Sequence, residues 1–375
     1  MATITTVIPT YRRPALLGRA IESVLAQTYQ DLEVVVLDDC SGDETGAVVE
    51  AIARRDSRVR YIAHKRNLGL AYGQAAAVDT ARTPFFTILN DDDLIVPDFF
   101  ATAMAEFKRY PAAKVFVGQL VYWDQQVPKL SRTFNGIGRE GYVNPPDAAI
   151  DLMSSDQSST WTSMMFRREV LDEIGGLDCN VGYALDLDFE LRVLARYPAV
   201  FSNKPCAVYC MSPISGSFHD WLTPFLPGMR VMLAKFAADE SLDVASRKRL
   251  VAAMKGAFRR TTIMGAARAL TMGDLEPARR AAAYLASDLD APVAAFALRA
   301  AAISGPVGNA VRAGLRQVKR LRRKMRDDSQ SRALIDDVAK VLSTLEPRAA
   351  RPSNRTRAEV RPGNVRNRAT VQCSE

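Results

Sequence analysis

An uncharged run from Pro84 to Leu89, rich in β-formers, ends on Asn90 and three consecutive acids, Asp91, Asp92 and Asp93. Such a run is the pattern of a buried strand, and this one delivers three carboxylates at its C-terminal end. Adjacent carboxylates repel one another, so the cluster implies a positive partner. Hard oxygen ligands at a strand end suit Mg²⁺ or Mn²⁺ carrying a ligand's phosphates. The competing reading is a solvated acidic turn ahead of a helix that Pro97 and Asp98 start. The choice between them depends on what the rest of the chain brings to the same place.

Upstream, strand and helix patterns alternate. Residues 3–8 form a first strand stopped by Pro9, and Pro14 opens a helix whose Leu16, Leu17, Ala20, Ile21, Val24 and Leu25 share one face. Residues 32–37 are a second strand, residues 48–55 a helix and residues 59–62 a third strand. This alternation predicts an α/β fold with a parallel sheet, whose ligands bind beyond the carboxyl ends of the strands. Those ends collect polar residues: Thr10 and Tyr11, Asp38 and Asp39, residues 65–69, and Asn90 to Asp93. No Gly-x-Gly-x-x-Gly follows the first strand and no Walker A sequence occurs, which counts against a dinucleotide cofactor. Asp38 and Asp39 can accept from a base N–H or a ribose hydroxyl, or cap the helix after Asp43. Tyr11 can lie against a base.

Four segments come in the order and spacing of the family 2 glycosyltransferases of GT-A fold: residues 7–13, 36–45, 66–71 and 89–93. The resemblance continues to about residue 212. It implies a Rossmann-like, mostly parallel central sheet with flanking helices, followed here by a C-terminal helical region. It also implies that Pro9, Thr10 and Tyr11 line the nucleotide, that Asp39 reads the base, and that Asp91 and Asp92 bind ribose and metal, with Asp92 the metal ligand. Arg13, Asp38, Asn67, Gly69 and Asn90 complete the expected nucleotide-sugar-binding set. Asn90 stands where the family often has the first aspartate of Asp-x-Asp, which leaves Asp91 or Asp93 as the second contact.

Beyond a helix over residues 101–110 and a strand over 115–122, residues 123–160 show little periodicity and are expected as loops shaping the acceptor side. Residues 161–166 are a further strand, in which Trp161 is either a sugar-stacking platform or a core tryptophan. In residues 183–192, Asp186 and Glu190 share a helix face and Asp188 points elsewhere. The family's sequence here is Glu-Asp-x-Asp/Glu-Leu-x-x-Arg, whose aspartate after the glutamate acts as base. Asp186 matches it, and Leu185 replaces the preceding glutamate. A short strand over 207–211 leads to residues 212–219, from which His219 could reach a diphosphate, although a lone surface histidine is the plainer reading.

Charge divides the chain. Residues 1–225 carry 21 Lys/Arg against 28 Asp/Glu, and residues 226–375 carry 29 against 14. The net −7 of the catalytic-looking half argues against a nucleic-acid enzyme. The +15 of the remainder must face something else. Residues 226–304 are helical by pattern. Over 305–346, Val307, Val311, Leu315, Val318, Leu321 and Met325 form an apolar stripe beside a basic face, suited to an anionic membrane surface or to packing on the catalytic domain. Residues 347–375 are expected to be a disordered basic tail. Five cysteines without metal-type spacing and the lack of a signal-peptide pattern lead to the expectation of a cytoplasmic protein, peripheral at the inner face of the plasma membrane if the basic segment binds lipid. The activity expected is inverting, metal-dependent transfer from a nucleoside diphosphate sugar, UDP or dTDP type, to a glycan or lipid-linked acceptor. The alternative is a non-catalytic sugar-nucleotide-binding or membrane-surface scaffold.

Overall fold

The computed structural model describes residues 2–124, 130–133, 139–154, 161–211, 222–302 and 309. Strand β1 (Ile4–Thr10), helix α1 (Pro14–Leu25), β2 (Leu32–Asp38), α2 (Thr45–Ala53), β3 (Val59–Ala63), α3 (Leu70–Val78) and β4 (Phe85–Ile88) follow the alternation of the sequence. In α1, Pro14 sits at the start, where its missing N–H costs nothing, and Leu17, Ala20, Ile21 and Val24 bury one face against the sheet. The four strands lie in the order β3-β2-β1-β4, all paired in parallel. The order reverses beside β1: the chain winds outward through β2 and β3, then returns to the other side for β4. A crevice opens at such a reversal, beyond the strand ends. Thr10 and the acids after β4 therefore face each other.

The chain continues through β5 (Leu94–Ile95), α4 (Phe99–Arg109), β6 (Val115–Asp124), β7 (Leu130–Thr133), β8 (Gly141–Val143) and α5 (Asp147–Ser154). A 3₁₀ turn (Trp161–Ser163), β9 (Met164–Arg167), α6 (Glu169–Ile174), a second 3₁₀ turn (Cys179–Ala184), α7 (Leu185–Leu194) and β10 (Ala199–Met211) complete the sheet. β9 runs antiparallel between β4 and β6, and β10 is parallel to β6. Six of the ten described strands, β1 to β4, β6 and β10, thus run in one direction, with β5, β7, β8 and β9 opposed.

Several expectations need correction. β1 runs through Pro9 to Thr10, because its pairing with β4 ends at Val7 and Pro9 has a strand partner on one side only, where proline is tolerated. Within 123–160 the described residues include β7, β8 and α5, not loops alone. Helix α5 buries Ala148, Ala149, Leu152 and Met153 and is held from outside by Arg249 on Asp147 (2.8 Å) and by Arg260 on the Met153 carbonyl (2.6 Å). Trp161–Ser163 is a turn, with the strand starting at Met164. β10 begins at Ala199, its register shifting between Phe201 and Ala207 around Pro205.

Helices α8 (Leu222–Ala237), α9 (Val244–Met272), α10 (Glu276–Ser287) and α11 (Pro292–Ala301) follow. One apolar core joins them to the sheet, running from Val7 and Phe86 through Phe189 to Leu270 and Ala302. Asp243 caps α9, accepting from the backbone N–H groups of Ala245 (2.9 Å) and Ser246 (3.0 Å), and Gly273 ends it at φ 89°. No helix among the described residues is long and apolar enough to cross a membrane. His219, the stripe from Val307 to Met325 and the tail over 347–375 lie outside the described residues.

Helix α8 comes close to the turn before α7 at Gly228, where a Cβ would stand 2.2 Å from the Val181 carbonyl oxygen and 3.1 Å from the Ala184 Cβ. Backbone cannot yield there without moving the turn that leads into α7. Gly228→Ala is expected to lower unfolding free energy by about 1–3 kcal/mol, measured by urea denaturation. A wild-type midpoint would show that α8 is free to move away.

Candidate active site

The crevice between β1 and β4 sorts the three adjacent acids by their neighbours. Asp91 is buried, with Oδ2 accepting from the Thr10 hydroxyl (2.7 Å) and Oδ1 from Arg13 Nη1 (3.0 Å). Burial pushes its carboxyl up to about 6, against the pull of Arg13. Asp92 retains access to solvent at 11% side-chain exposure. Its one hydrogen bond among the described residues is from the same Arg13 Nη1, at 3.2 Å. Asp93 turns the other way. It is buried and accepts from the Cys210 backbone N–H (2.9 Å), the Asn90 amide (3.0 Å) and the Thr162 hydroxyl (3.2 Å). Burial first, then the Asp92 charge, raise its carboxyl. Asp93 is therefore a brace between β4, the Trp161 turn and β10, and the pair facing the crevice is Asp91 with Asp92.

Asn90 belongs to that brace. Its carbonyl accepts from Trp161 Nε1 (3.2 Å) while its amide donates to Asp93 and Thr162. An ionised aspartate could not donate to Asp93, so the side-chain amide suits this position. Trp161 is 2% exposed, so its ring is a core element and not a platform for a sugar.

At the end of β2 the acids are also divided. Asp38 spends both oxygens on structure, Oδ1 accepting from Ser41 N (3.0 Å) and Oδ2 from the Tyr61 hydroxyl (2.6 Å). Asp39 accepts from Leu68 N (2.8 Å), Gly69 N (2.9 Å) and His64 Nδ1 (3.2 Å), and Asn67 donates to its carbonyl (3.2 Å). The 64–69 segment is thereby folded onto Asp39, with Gly69 at φ 80° entering α3. Gly73, one turn into α3, lets the helix approach: a Cβ there would lie 3.3 Å from the Asp39 carboxylate. Arg12, at φ 56°, ties the β1 loop to the β2 loop through Ser41 (N to Oγ 2.8 Å, Nε to O 3.0 Å). Its guanidinium lies 5.0 Å over the ring of Tyr11, which is 40% exposed.

The acids of α7 are the second set. Phe189 packs on Phe86 and Phe166, which seats α7 under β4, and the turn before it is fastened to α3 by Cys179 Sγ on the Ala71 carbonyl (3.7 Å). Asp186 is half-buried, bonded only to the Leu187 N–H (2.7 Å) among the described residues, and burial pushes its carboxyl up to about 6. Asp188 is fully buried between Arg192 Nε (2.8 Å) and Lys235 Nζ of α8 (2.9 Å), and the same lysine reaches Asp178 (2.8 Å). That ion-paired position makes Asp188 a brace and excludes it as a base. Glu190 is fully buried with no hydrogen-bond partner among the described residues, and burial next to Asp186 raises its carboxyl well above the ordinary range, so it stands neutral. Leu185, where the family pattern has glutamate, is core. Asp186 is the α7 carboxylate left for chemistry.

Sequence reasoning missed His64, Thr162, Ser41, Gly73 and Lys235. His64 alone carried a signal, since it directly follows a strand end.

Residues 5–175 match the model of Glycosyl transferase family 2. A Campylobacter jejuni protein named GalNAc(5)-diNAcBac-PP-undecaprenol beta-1,3-glucosyltransferase is 32% identical over 141 residues, 37% of this chain and 44% of that protein. The chain spans 20% to 64% of the lengths of several curated relatives it matches. Among solved structures, S. aureus TarS 1–349 in complex with UDP-GlcNAc superposes with a TM-score of 0.61 at 16% identity, covering 84% of this chain and 92% of that one. Mannosyltransferase PcManGT from Pyrobaculum calidifontis, in complex with GDP-Man and Mn²⁺, gives 0.53 at 18%, covering 92% and 87%. At those identities the likeness is one of fold.

Asn90→Asp is expected to destabilise by about 3 kcal/mol at neutral pH, through a lost donor and a second carboxylate beside a buried one. The pair binds a proton more tightly folded than unfolded, so the deficit should shrink as pH falls, read by denaturation at pH 5 and 8. Equal stability at both would remove Asn90 from the brace. By its motifs, its sheet and its sequence match, the chain is similar over residues 5–175 to glycosyl transferase family 2.

Proposed function

We propose that this protein is an inverting, metal-dependent glycosyltransferase that moves a sugar from a nucleoside diphosphate donor, of UDP or dTDP type, to an acceptor hydroxyl in polysaccharide or glycoconjugate synthesis. The observation that carries the reading is the sorting of acids: Asp91 and Asp92 share one cationic nitrogen at the sheet reversal, and Asp186 is left without an ion-pair partner at the start of α7. Residues 1–225 are taken as the catalytic unit and 226–304 as its helical appendage.

A divalent cation fits the pair. Arg13 Nη1 already places positive charge 3.0 and 3.2 Å from the two carboxylates. Among the described residues no group of three or more His, Cys, Asp and Glu forms a protein-only cage. Two carboxylates completed by phosphate oxygens is the way Mg²⁺, and Mn²⁺ like it, is held in nucleotide sites. When bound, such a cation offsets charge that develops on the leaving diphosphate. The chain's own residues do the rest. Asp39 with its 64–69 wrap and Tyr11 with Arg12 behind it form the nucleoside end, and Thr10 holds Asp91 in place. Asp186 takes the acceptor proton as the hydroxyl oxygen bonds to the anomeric carbon and the carbon–phosphate oxygen bond breaks on the opposite face. One displacement inverts the anomer.

The relative named for a PP-undecaprenol-linked glycan favours a lipid-linked acceptor, and the basic stripe beyond residue 305 would bring the enzyme to an anionic leaflet. Truncation after Gly305 should abolish co-sedimentation with anionic vesicles and leave soluble donor hydrolysis intact, each cation near the surface contributing about 1 kcal/mol. Equal sedimentation of both forms removes the tether.

The central test is transfer by Asp186→Asn. The amide keeps the shape but takes no proton, so turnover should fall by about 10² to 10⁴ with nucleotide affinity unchanged by calorimetry. A base with its carboxyl at about 6 must be ionised, so wild-type kcat should fall as pH drops through that value. Wild-type turnover in the variant would assign the proton to another group.

A further inference from the structure

Arg13 occupies an unusual place for a residue of a nucleotide loop. Its Nη1 is the donor to both crevice acids, 3.0 Å to Asp91 Oδ1 and 3.2 Å to Asp92 Oδ2, and among the described residues its guanidinium has no other hydrogen-bond partner. Asp91 cannot turn away to relieve itself, because its second oxygen is held by Thr10. Asp92 is bonded to nothing else among the described residues. Arg13 stands just ahead of Pro14 and α1, with no side-chain cap tying it there, and 31% of its side chain is exposed. The arrangement is a cation on a long, flexible arm, seated on two carboxylates that would otherwise repel and partly open to solvent.

We propose that Arg13 is an internal counter-cation that competes with the divalent cation for Asp91 and Asp92, and that the donor's diphosphate resolves the competition by taking the guanidinium. The inference rests on the reading of this pair as the cation seat. A metal ion bound to Asp91 Oδ1 and Asp92 Oδ2 needs those oxygens at about 2.0–2.2 Å, in the space that Nη1 now faces, and two positive groups there repel. Displaced into the crevice, the planar guanidinium matches phosphate oxygens with two parallel N–H donors. The cation alone then binds weakly and the cation with diphosphate binds well, which is a positive coupling between the two ligands. Arg13 would thus keep the acid pair neutralised between turnovers and make cation capture depend on donor arrival.

Mn²⁺ binding to the full-length protein, followed by the electron paramagnetic resonance signal of the free ion, tests this with and without UDP. In the absence of nucleotide, Arg13→Gln should bind Mn²⁺ tighter than wild type, on the order of tenfold, since a charge contact at this range is removed. UDP should strengthen Mn²⁺ binding in wild type and do so much less in the variant. Arg13→Lys keeps a competing charge and should stay near wild type without UDP. Arg19→Gln, which removes a charge from α1, where the guanidinium lies over the Trp123 ring and not on the acid pair, should also leave Mn²⁺ affinity unchanged. Equal Mn²⁺ affinity in wild type and Arg13→Gln overturns the competition while sparing the metal reading, as does an equal gain from Arg19→Gln, which would make the effect one of general field. No Mn²⁺ binding by either protein, with or without UDP, overturns both.

Discussion

The site depends on one buried carboxylate that is turned away from the crevice. Asp93 accepts hydrogen bonds from a backbone N–H of β10, a hydroxyl of the Trp161 turn and the amide of Asn90. Left unpaired, a buried carboxylate costs several kcal/mol. Satisfied three times, it holds together segments 69 and 117 residues apart in sequence. Once Asp93 is turned inward, Asp91 and Asp92 have to present the other side of the loop to the β1/β4 crevice. The orientation of the outward acids is therefore a consequence of where the inward one is bound.

The same sorting occurs on α7, with a different partner. Asp186, Asp188 and Glu190 differ by two residues each, yet one is half-buried with only a backbone bond, one is ion-paired to Arg192 and Lys235, and one is fully buried and neutral. Residue type does not distinguish them. Neighbours do: a guanidinium and an ammonium keep Asp188 in the interior, whereas desolvation beside a like charge keeps Glu190 protonated. Both clusters follow one rule, in which acids committed to packing release a neighbouring acid to face solvent.

Much of the donor side was legible in the sequence because it is local. Alternating strand and helix patterns from Ile4 to Ile88 gave the parallel sheet, and polar residues at strand ends gave its crevice. What was hidden depends on partners distant in the chain. Nothing near Asp93 announces the Cys210 N–H, so Asp93 and Asp91 stood equal as second contacts. Nothing near Trp161 announces that Asn90 will receive its indole N–H in the core. Pro9 looks like a strand terminator until β4 is known to stop pairing two residues earlier. The Asn-Lys-Pro interruption in β10 looks like a loop until β6 supplies a ladder on which the register can shift. Helix α5 is only eight residues long and is held by α9, a hundred residues later.

The boundary of the family match adds a final step. Residues 5–175 contain the whole acid crevice, from Thr10 and Arg13 to Asn90 and Asp93. Asp186 and the braces that fix it lie beyond residue 175. Lys235 of α8 reaches both Asp178 and Asp188, and Gly228 lets α8 close on the turn ahead of α7. The C-terminal helices are thus part of how α7 is held and cannot be regarded as cargo on a finished enzyme. The position of α7 is set from both sides, by Phe86, Phe166 and Ala71 inside the family match and by α8 outside it. Changes in α8 can therefore shift α7, and Asp186 with it, while leaving the hydrogen bonds of Asp91 to Asp93 in place.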